Sequence, residues 1–265
     1  MKMKLRNLIN IKKYKNYHKF KSIKTFKQWQ QDNPEGTFDQ YYVYRVTEKL
    51  KIRDGDHPTL TLASTIKNDE TSGESIFRFL IEHGLKSHHR VVDYGCGSLR
   101  VGRHLIPFLE PRSYYGLDVT DTFYSAGLVQ IDSQIVAKRQ PQLDLVDGNL
   151  VDQLQEDPPD YIFSVGVLIH IPPEELSDFI SKITLLMSDK TAFILGTQIA
   201  KETDSTIHRN EVTWFHNKEQ IESILAENNL IATDIKSGRE LEEAKGVRVF
   251  WKIVKQLQLE EQPIN

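Results

Sequence analysis

The chain has one cysteine in its 265 residues, Cys96. A lone thiol excludes an internal disulfide framework and any multi-thiolate zinc site, and it fits a cytoplasmic protein. No apolar run reaches the ~18 residues of a membrane-spanning helix. No apolar stretch follows the first lysines, as a secretory signal would require. Apolar residues are slightly sparse, 39% with 14 glycines beside them, against about 45–50% in an average domain. At this length that still fills a core, and a charged share of 27% excludes wholesale disorder. Internal repeats and low-complexity linkers are also lacking.

Acidic residues are missing from positions 1–31, which hold ten of the 34 Lys and Arg. The other 24 bases face all 37 acids, so the total of −3 conceals a basic arm on a body of net charge −13. An acidic body argues against a general nucleic-acid binder. Within the arm, Leu5, Leu8, Ile11, Tyr14, Tyr17, Phe20, Ile23, Phe26 and Trp29 recur every three residues. A step of three falls short of a helical turn, so this stripe spirals and suits short helices or irregular chain. The arm either packs on its own acidic body or contacts an anionic partner, such as a lipid surface or RNA. Turn signals follow at Asn33-Pro34-Glu35-Gly36, Asp54-Gly55-Asp56 and His57-Pro58. Tyr41, Tyr42 and Tyr44 precede a short helix-like stretch to Leu50.

From Ser72 the pattern becomes regular. A helix ends near Gly84. Strands then follow at Val91–Tyr94, Tyr114–Asp118, Leu143–Val146, Tyr161–Val167 and Thr191–Thr197, with closing strands at Leu230–Ile235 and Val247–Val254. Helices are predicted over Leu99–Leu109, Thr122–Arg139, Pro173–Leu186 and Asn217–Asn228. Strands alternating with helices predict an α/β fold, a parallel sheet covered on both faces.

The chemistry begins at Asp93-Tyr94-Gly95-Cys96-Gly97-Ser98-Leu99. Glycines after a first strand permit a tight turn and close backbone approach to a ligand, and the next helix would offer its free N–H groups. The third glycine of a dinucleotide fingerprint is replaced by Arg100. Asp93, just before the glycines, would repel a pyrophosphate and suits a sulfonium or an amino group.

This segment resembles the first motif of class I S-adenosylmethionine-dependent methyltransferases, acidic-x-Gly-x-Gly, in a bacterial subgroup acting on small molecules or glycans. Asp118 matches the family's acid that holds the ribose hydroxyls. Asp147, Gly148 and Asn149 stand where the family contacts adenine. Ser164-Val165-Gly166-Val167-Leu168-Ile169-His170-Ile171-Pro172 resembles its segment after strand four. The likeness covers roughly residues 75–255. It implies a Rossmann-like, doubly wound, seven-stranded, mostly parallel sheet whose last strand is antiparallel. Residues 61–265 would be the methyltransferase domain. Residues 1–60 would be a basic, helical or irregular extension whose tyrosines could act as a cofactor lid. The implied cofactor site comprises Asp93, Gly95, Cys96, Gly97, Asp118, Asp147, Gly148, Asn149 and Val165.

Methyl transfer from a sulfonium is an in-line displacement, and a base is needed only where the nucleophile carries a proton. His170 is the candidate base, since its unperturbed pKa lies near neutrality. His208 and His216 are weaker candidates, and His104, inside a helix, reads as structural. Arg100 and Arg103 could hold a carboxylate or phosphate on the acceptor. Ser164-Val165-Gly166-Val167 replaces the Pro-Pro-aromatic segment of exocyclic-amine nucleic-acid enzymes, and Cys96 in the cofactor loop closes a cytosine-carbon route. Asp160 lies at the start of strand four, whereas a metal-dependent catechol-type enzyme would carry an acid at its end, so no metal is expected. The leading reading is methyl transfer to O or N of a small molecule or glycan. A protein or RNA methyltransferase recruited by the arm, and a non-catalytic cofactor-binding scaffold, are the alternatives.

Overall fold

A computed structural model describes residues 23–52, 73–201, 205–240 and 246–256. The three-residue period of positions 5–22 and the turn signals at 54–58 lie outside the described residues. The chain divides into two units, residues 1–64 and 65–265.

The first unit holds α1 (Phe26–Asp32) and α2 (Phe38–Ile52). Thr25 caps α1: its hydroxyl accepts from the Gln28 N–H, and the Gln28 side chain accepts from the Thr25 N–H. This reciprocal box satisfies two otherwise orphaned amides. Tyr41, Tyr42 and Tyr44 lie inside α2 and do not precede a helix. The correction has a packing cause. Phe26, Trp29 and Phe38 close on Tyr41 with ring centroids 5.1–5.8 Å apart, and such burial overrides the weak helix propensity of aromatics. The Tyr41 hydroxyl donates to the Lys24 carbonyl and accepts from Arg45.

The second unit is built on one seven-stranded sheet. Its strands are β1 (Val91–Tyr94), β2 (Tyr114–Asp118), β3 (Gln142–Leu145), β4 (Tyr161–Val165), β5 (Ala192–Ala200), β8 (Leu230–Glu240) and β9 (Gly246–Lys255), and β6 (Ile207–Asn210) and β7 (Thr213–Phe215) form a separate hairpin. The sheet order is β3-β2-β1-β4-β5-β9-β8. Neighbours from β3 to β5 pair in parallel, and β9 runs antiparallel to both β5 and β8. The helices of this unit are α3 (Gly73–Glu82), α4 (Gly102–Phe108), α5 (Asp121–Leu128), α6 (Ser133–Arg139), α7 (Asn149–Glu156), α8 (Leu176–Leu185) and α9 (Lys218–Glu227). Alternate strand residues enter different cores. Val92, Ile162, Leu195 and Trp251 pack with Ile180 and Ile183 of α8. Val91, Phe163, Ile194 and Phe250 pack with Ile76 and Leu80 of α3 and Leu105 of α4. Both faces are therefore dry, as a largely parallel sheet requires.

The helix expected over 122–139 is two helices. Asp132 starts the second by accepting from the Gln134 N–H at 2.8 Å. The helix expected from Leu99 begins only at Gly102. Leu99 itself takes a left-handed conformation, φ +58°, and its burial holds it there against an intrinsic cost of about 1–2 kcal/mol. The Pro173 helix opens as a short 3-10 turn before α8. Helix α7 and the β6 half of the hairpin were not foreseen.

Helix α5 lies directly on the glycine-rich turn. A Cβ on Gly127 would come within 2.1 Å of the Ser98 carbonyl oxygen, a backbone atom with little room to yield. Gly127→Ala should therefore cost about 1–3 kcal/mol through overpacking, read as a fall of several degrees in Tm. The exposed Ser125→Ala on the same helix should leave Tm nearly unchanged.

Candidate active site

The sheet order reverses between β1 and β4, so their carboxyl ends open a crevice of the kind in which doubly wound folds bind ligands. The glycine turn stands at this edge. Gly95 and Cys96 both donate their N–H to the Leu117 carbonyl, at 2.8 and 3.0 Å. This bends the chain sharply across the end of β2, and Gly95 (φ +83°) and Gly97 (φ +54°) make the bend in the left-handed region where glycine is strain-free. The Gly97 N–H donates to Asp118 Oδ2 at 2.8 Å. The turn thereby holds the acid that the sequence assigns to the ribose.

Two buried carboxyls meet here. Asp93 is 4% exposed and Asp118 6%. Burial raises Asp93 to about 7; the Tyr114 hydroxyl, donating at 2.8 Å, and the Arg100 charge oppose the rise, and Asp118 adds to it. Burial also raises Asp118 to about 6, against the pull of the Gly97, Thr120 and Val119 amides. Cys96 turns its thiol into the core beside Gly116, so this residue can meet a ligand only through its backbone. Burial pushes the thiol well up and keeps it neutral.

The other expected site residues are placed as follows. Gly148 precedes α7, and a Cβ on it would collide with the Asp144 carboxylate. Asp144 accepts from the Leu145 and Leu150 N–H groups and fixes this corner. Asp147 and Asn149 beside it are exposed. Val165 closes β4, and Gly166 (φ +78°) turns the chain away from the sheet. The free helical amides expected directly after the glycines are absent, because Leu99 interrupts the helix and α4 starts later.

His170 ends the 3-10 turn Leu168–His170. Its Nδ1 donates to the Val212 carbonyl at 2.7 Å, tying this turn to the β6–β7 hairpin. A carbonyl only accepts, so Nδ1 carries a proton; in the neutral form of the ring the lone pair lies on Nε2. His216 is fully buried, donates from Nε2 to the Leu168 carbonyl at 3.0 Å, and is held neutral by burial. Closed away in this manner, it is corrected from candidate base to structural pin. His208 is exposed and stacks on Trp214. His104 accepts from Arg103 and stacks on Phe77, the structural role expected of it. Arg100 and Arg103 therefore do not act together: Arg103 is engaged by His104, and Arg100 lines a cavity of about 70 Å³ with β4, β5 and β9.

Three residues went unmarked in the sequence. Tyr114 and Asp144 act through neighbours distant in the chain, and no local signal announces either. Arg248 carries only a faint one: it stands in the closing strand two positions from the buried Phe250, but Lys252 and Lys255 share that strand.

A cofactor with a sugar and a cationic centre fits this geometry. A Cβ added at Gly97 or at Gly166 would meet nothing within 4 Å, so the backbone is bare and open at the ends of both β1 and β4. Buried carboxyls stand next to the open turn, Asp93 in β1 and Asp118 at the end of β2. Turn, acid and sheet order together define a nucleoside-binding α/β enzyme of the methyltransferase architecture. The family model described as "Histidine-specific methyltransferase, SAM-dependent" matches residues 70–210. The chain belongs to that family and is an S-adenosylmethionine-dependent methyltransferase.

Solved structures agree on the fold. Magnesium protoporphyrin IX methyltransferase of Synechocystis, with bound S-adenosylhomocysteine, is 19% identical over 71% of this chain and 83% of its own, with a TM-score of 0.53. The O-methyltransferase of a Brevibacillus brevis polyketide multienzyme is 15% identical over 75% and 78%, with a TM-score of 0.54. The Burkholderia thailandensis 1,6-didemethyltoxoflavin-N1-methyltransferase is 14% identical over 74% and 83%, with a TM-score of 0.50. No curated protein matches the chain. Among the described residues no helix is long and apolar enough to cross a membrane.

The raised carboxyls predict a pH dependence. Near pH 5 both Asp93 and Asp118 are protonated, and they ionise around 6 to 7. Ribose hydroxyls and a cationic amino group favour the ionised forms. S-adenosylhomocysteine should therefore bind more tightly as pH rises from 5 to 8, and near pH 6.5 its uptake should release protons. Calorimetry in buffers of different ionisation enthalpy reads both effects.

Proposed function

We propose that the enzyme moves a methyl group to a nitrogen or oxygen of a small molecule or glycan, with His170 as the base for a protonated nucleophile. Asp118 would hold the ribose, the open backbone at Gly97 the amino-acid portion near Asp93, and the corner at Asp147–Asn149 the adenine. When bound, S-adenosylmethionine supplies an activated methyl on a sulfonium that is its own leaving group. The protein's part is then alignment and, at His170 Nε2, acceptance of one proton.

The cavity is the observation that carries the small-acceptor reading. It is lined by the end of β4, by β5 and by β9, at the same sheet edge as the glycine turn, and its volume of about 70 Å³ admits only a small group of an acceptor. The family is described as histidine-specific, which makes L-histidine the first acceptor to try.

The test is transfer of labelled methyl from S-adenosylmethionine to a panel of L-histidine, small amines, hydroxy acids and sugars, beside a peptide mixture and total RNA. Label on a small molecule supports the proposal. Label only on peptide or RNA overturns it in favour of arm-directed recruitment. Tight binding of S-adenosylhomocysteine with no transfer to anything favours a scaffold.

A further inference from the structure

The cavity at the carboxyl edge has an unusual charge for this chain. Over residues 32–265, 37 acids outnumber 24 bases. Yet two arginines, Arg100 and Arg248, line this cavity, and no Asp or Glu stands among its described lining residues. Ile76, Ile169 and Phe250 give it apolar walls, and Thr197 and Gln198 of β5 are its uncharged polar lining. Arg100 is set by the left-handed turn at Leu99, which leaves it outside α4. Arg248 projects from β9 directly across the ladder from Gln198 of β5, which also lines the cavity. In that cross-strand position an acid would neutralise Arg248. A glutamine stands there instead, and its Oε1 is buried without a hydrogen-bond partner.

We infer that this cavity is an oxyanion subsite for the acceptor: Arg100 and Arg248 grip a carboxylate or phosphate, and the Ile76–Ile169–Phe250 wall covers the apolar body that bears it. Guanidinium groups bind both anions through paired N–H donors, and low-dielectric walls strengthen the grip. The buried Gln198 oxygen is an acceptor, so it would take a hydroxyl or amine beside the anion. The inference rests on the small-acceptor reading above and narrows it to acidic acceptors.

The test uses the protein saturated with S-adenosylhomocysteine, titrated with benzoate, phenyl phosphate and neutral benzamide. Benzoate or phenyl phosphate should bind, the stronger of the two identifying the anion, and benzamide should not. Arg248→Met, which keeps the length of the apolar stem, should weaken the anion at least tenfold, and Arg248→Lys should restore part of it. Affinity for S-adenosylhomocysteine and Tm should be unchanged in both variants. Equal binding of benzamide, or binding of none of the three, overturns the assignment. So does competition between benzoate and S-adenosylhomocysteine with a loss of cofactor affinity in Arg248→Met, which would assign the arginine to the cofactor's own carboxylate. The acceptor panel fails independently: label found only on peptide or RNA, with benzoate still bound, would sink the small-acceptor reading and leave the anion site standing.

Discussion

Asp118→Ala will weaken S-adenosylhomocysteine binding by about 1.5–3 kcal/mol, roughly ten- to a hundredfold in Kd, through loss of charge-assisted bonds. The expectation follows from two roles held by one side chain. The carboxyl lies at the end of β2, where a ribose would meet it, and it also accepts the Gly97 N–H at 2.8 Å. Alanine removes both and leaves that amide unanswered. Asp118→Asn separates the roles. It keeps an acceptor for Gly97 and removes the charge, so its Tm should stay near wild type while its affinity falls between the other two. Calorimetry and thermal melting on the three proteins check this. Equal affinity in all three would remove Asp118 from the cofactor site.

His170→Asn will lower turnover of a protonated acceptor by roughly a hundredfold, the usual contribution of a positioned base. Asparagine can still donate to the Val212 carbonyl and hold the turn on the hairpin, but it has no lone pair where Nε2 stands. His170→Ala should lose as much and also loosen the turn. If the histidine only pins the hairpin, asparagine will retain most of the activity and alanine will not. The pH profile decides in parallel. Loss of a base removes the acid limb of kcat, whereas loss of a pin lowers the whole profile without changing its shape. S-adenosylhomocysteine affinity should be the same in all three proteins.

The local signals in the chain were sufficient for the strands of the sheet and for the glycine turn between its two buried acids, and insufficient beyond them. Strands such as Val91–Tyr94 and Tyr161–Val165 are short, apolar and punctuated by glycine, so their type and order are readable. Asp93, Gly95, Gly97 and Asp118 were legible because a tight turn and a buried acid leave residues at fixed spacing. The tyrosine-rich stretch was not. Its helix depends on Phe26 and Trp29, which reach it from another helix. Leu99 is a second case: helix periodicity predicts a helix through it, and only the packing that buries it pays for its left-handed backbone. Arg248 shows the remaining limit. Its strand was foreseen, but its meeting with Arg100 depends on the β5–β9 pairing, and residues about 150 positions apart carry no mutual pattern.

The buried pair Asp93 and Asp118 has a consequence for how long the protein lasts. Both carboxyls hold protons in the folded chain at pH values where the unfolded chain has lost them. Their stabilising contribution is whole below about pH 4 and disappears as pH rises toward 7. At neutral pH the ligand-free enzyme has therefore already lost it. A ligand that binds only the folded state restores stability by mass action, about 2.7 kcal/mol at a hundred times its Kd. The folded fraction, and with it exposure to proteolysis, will then follow the supply of S-adenosylmethionine. Starvation for the methyl donor would thin the enzyme population as well as idle it.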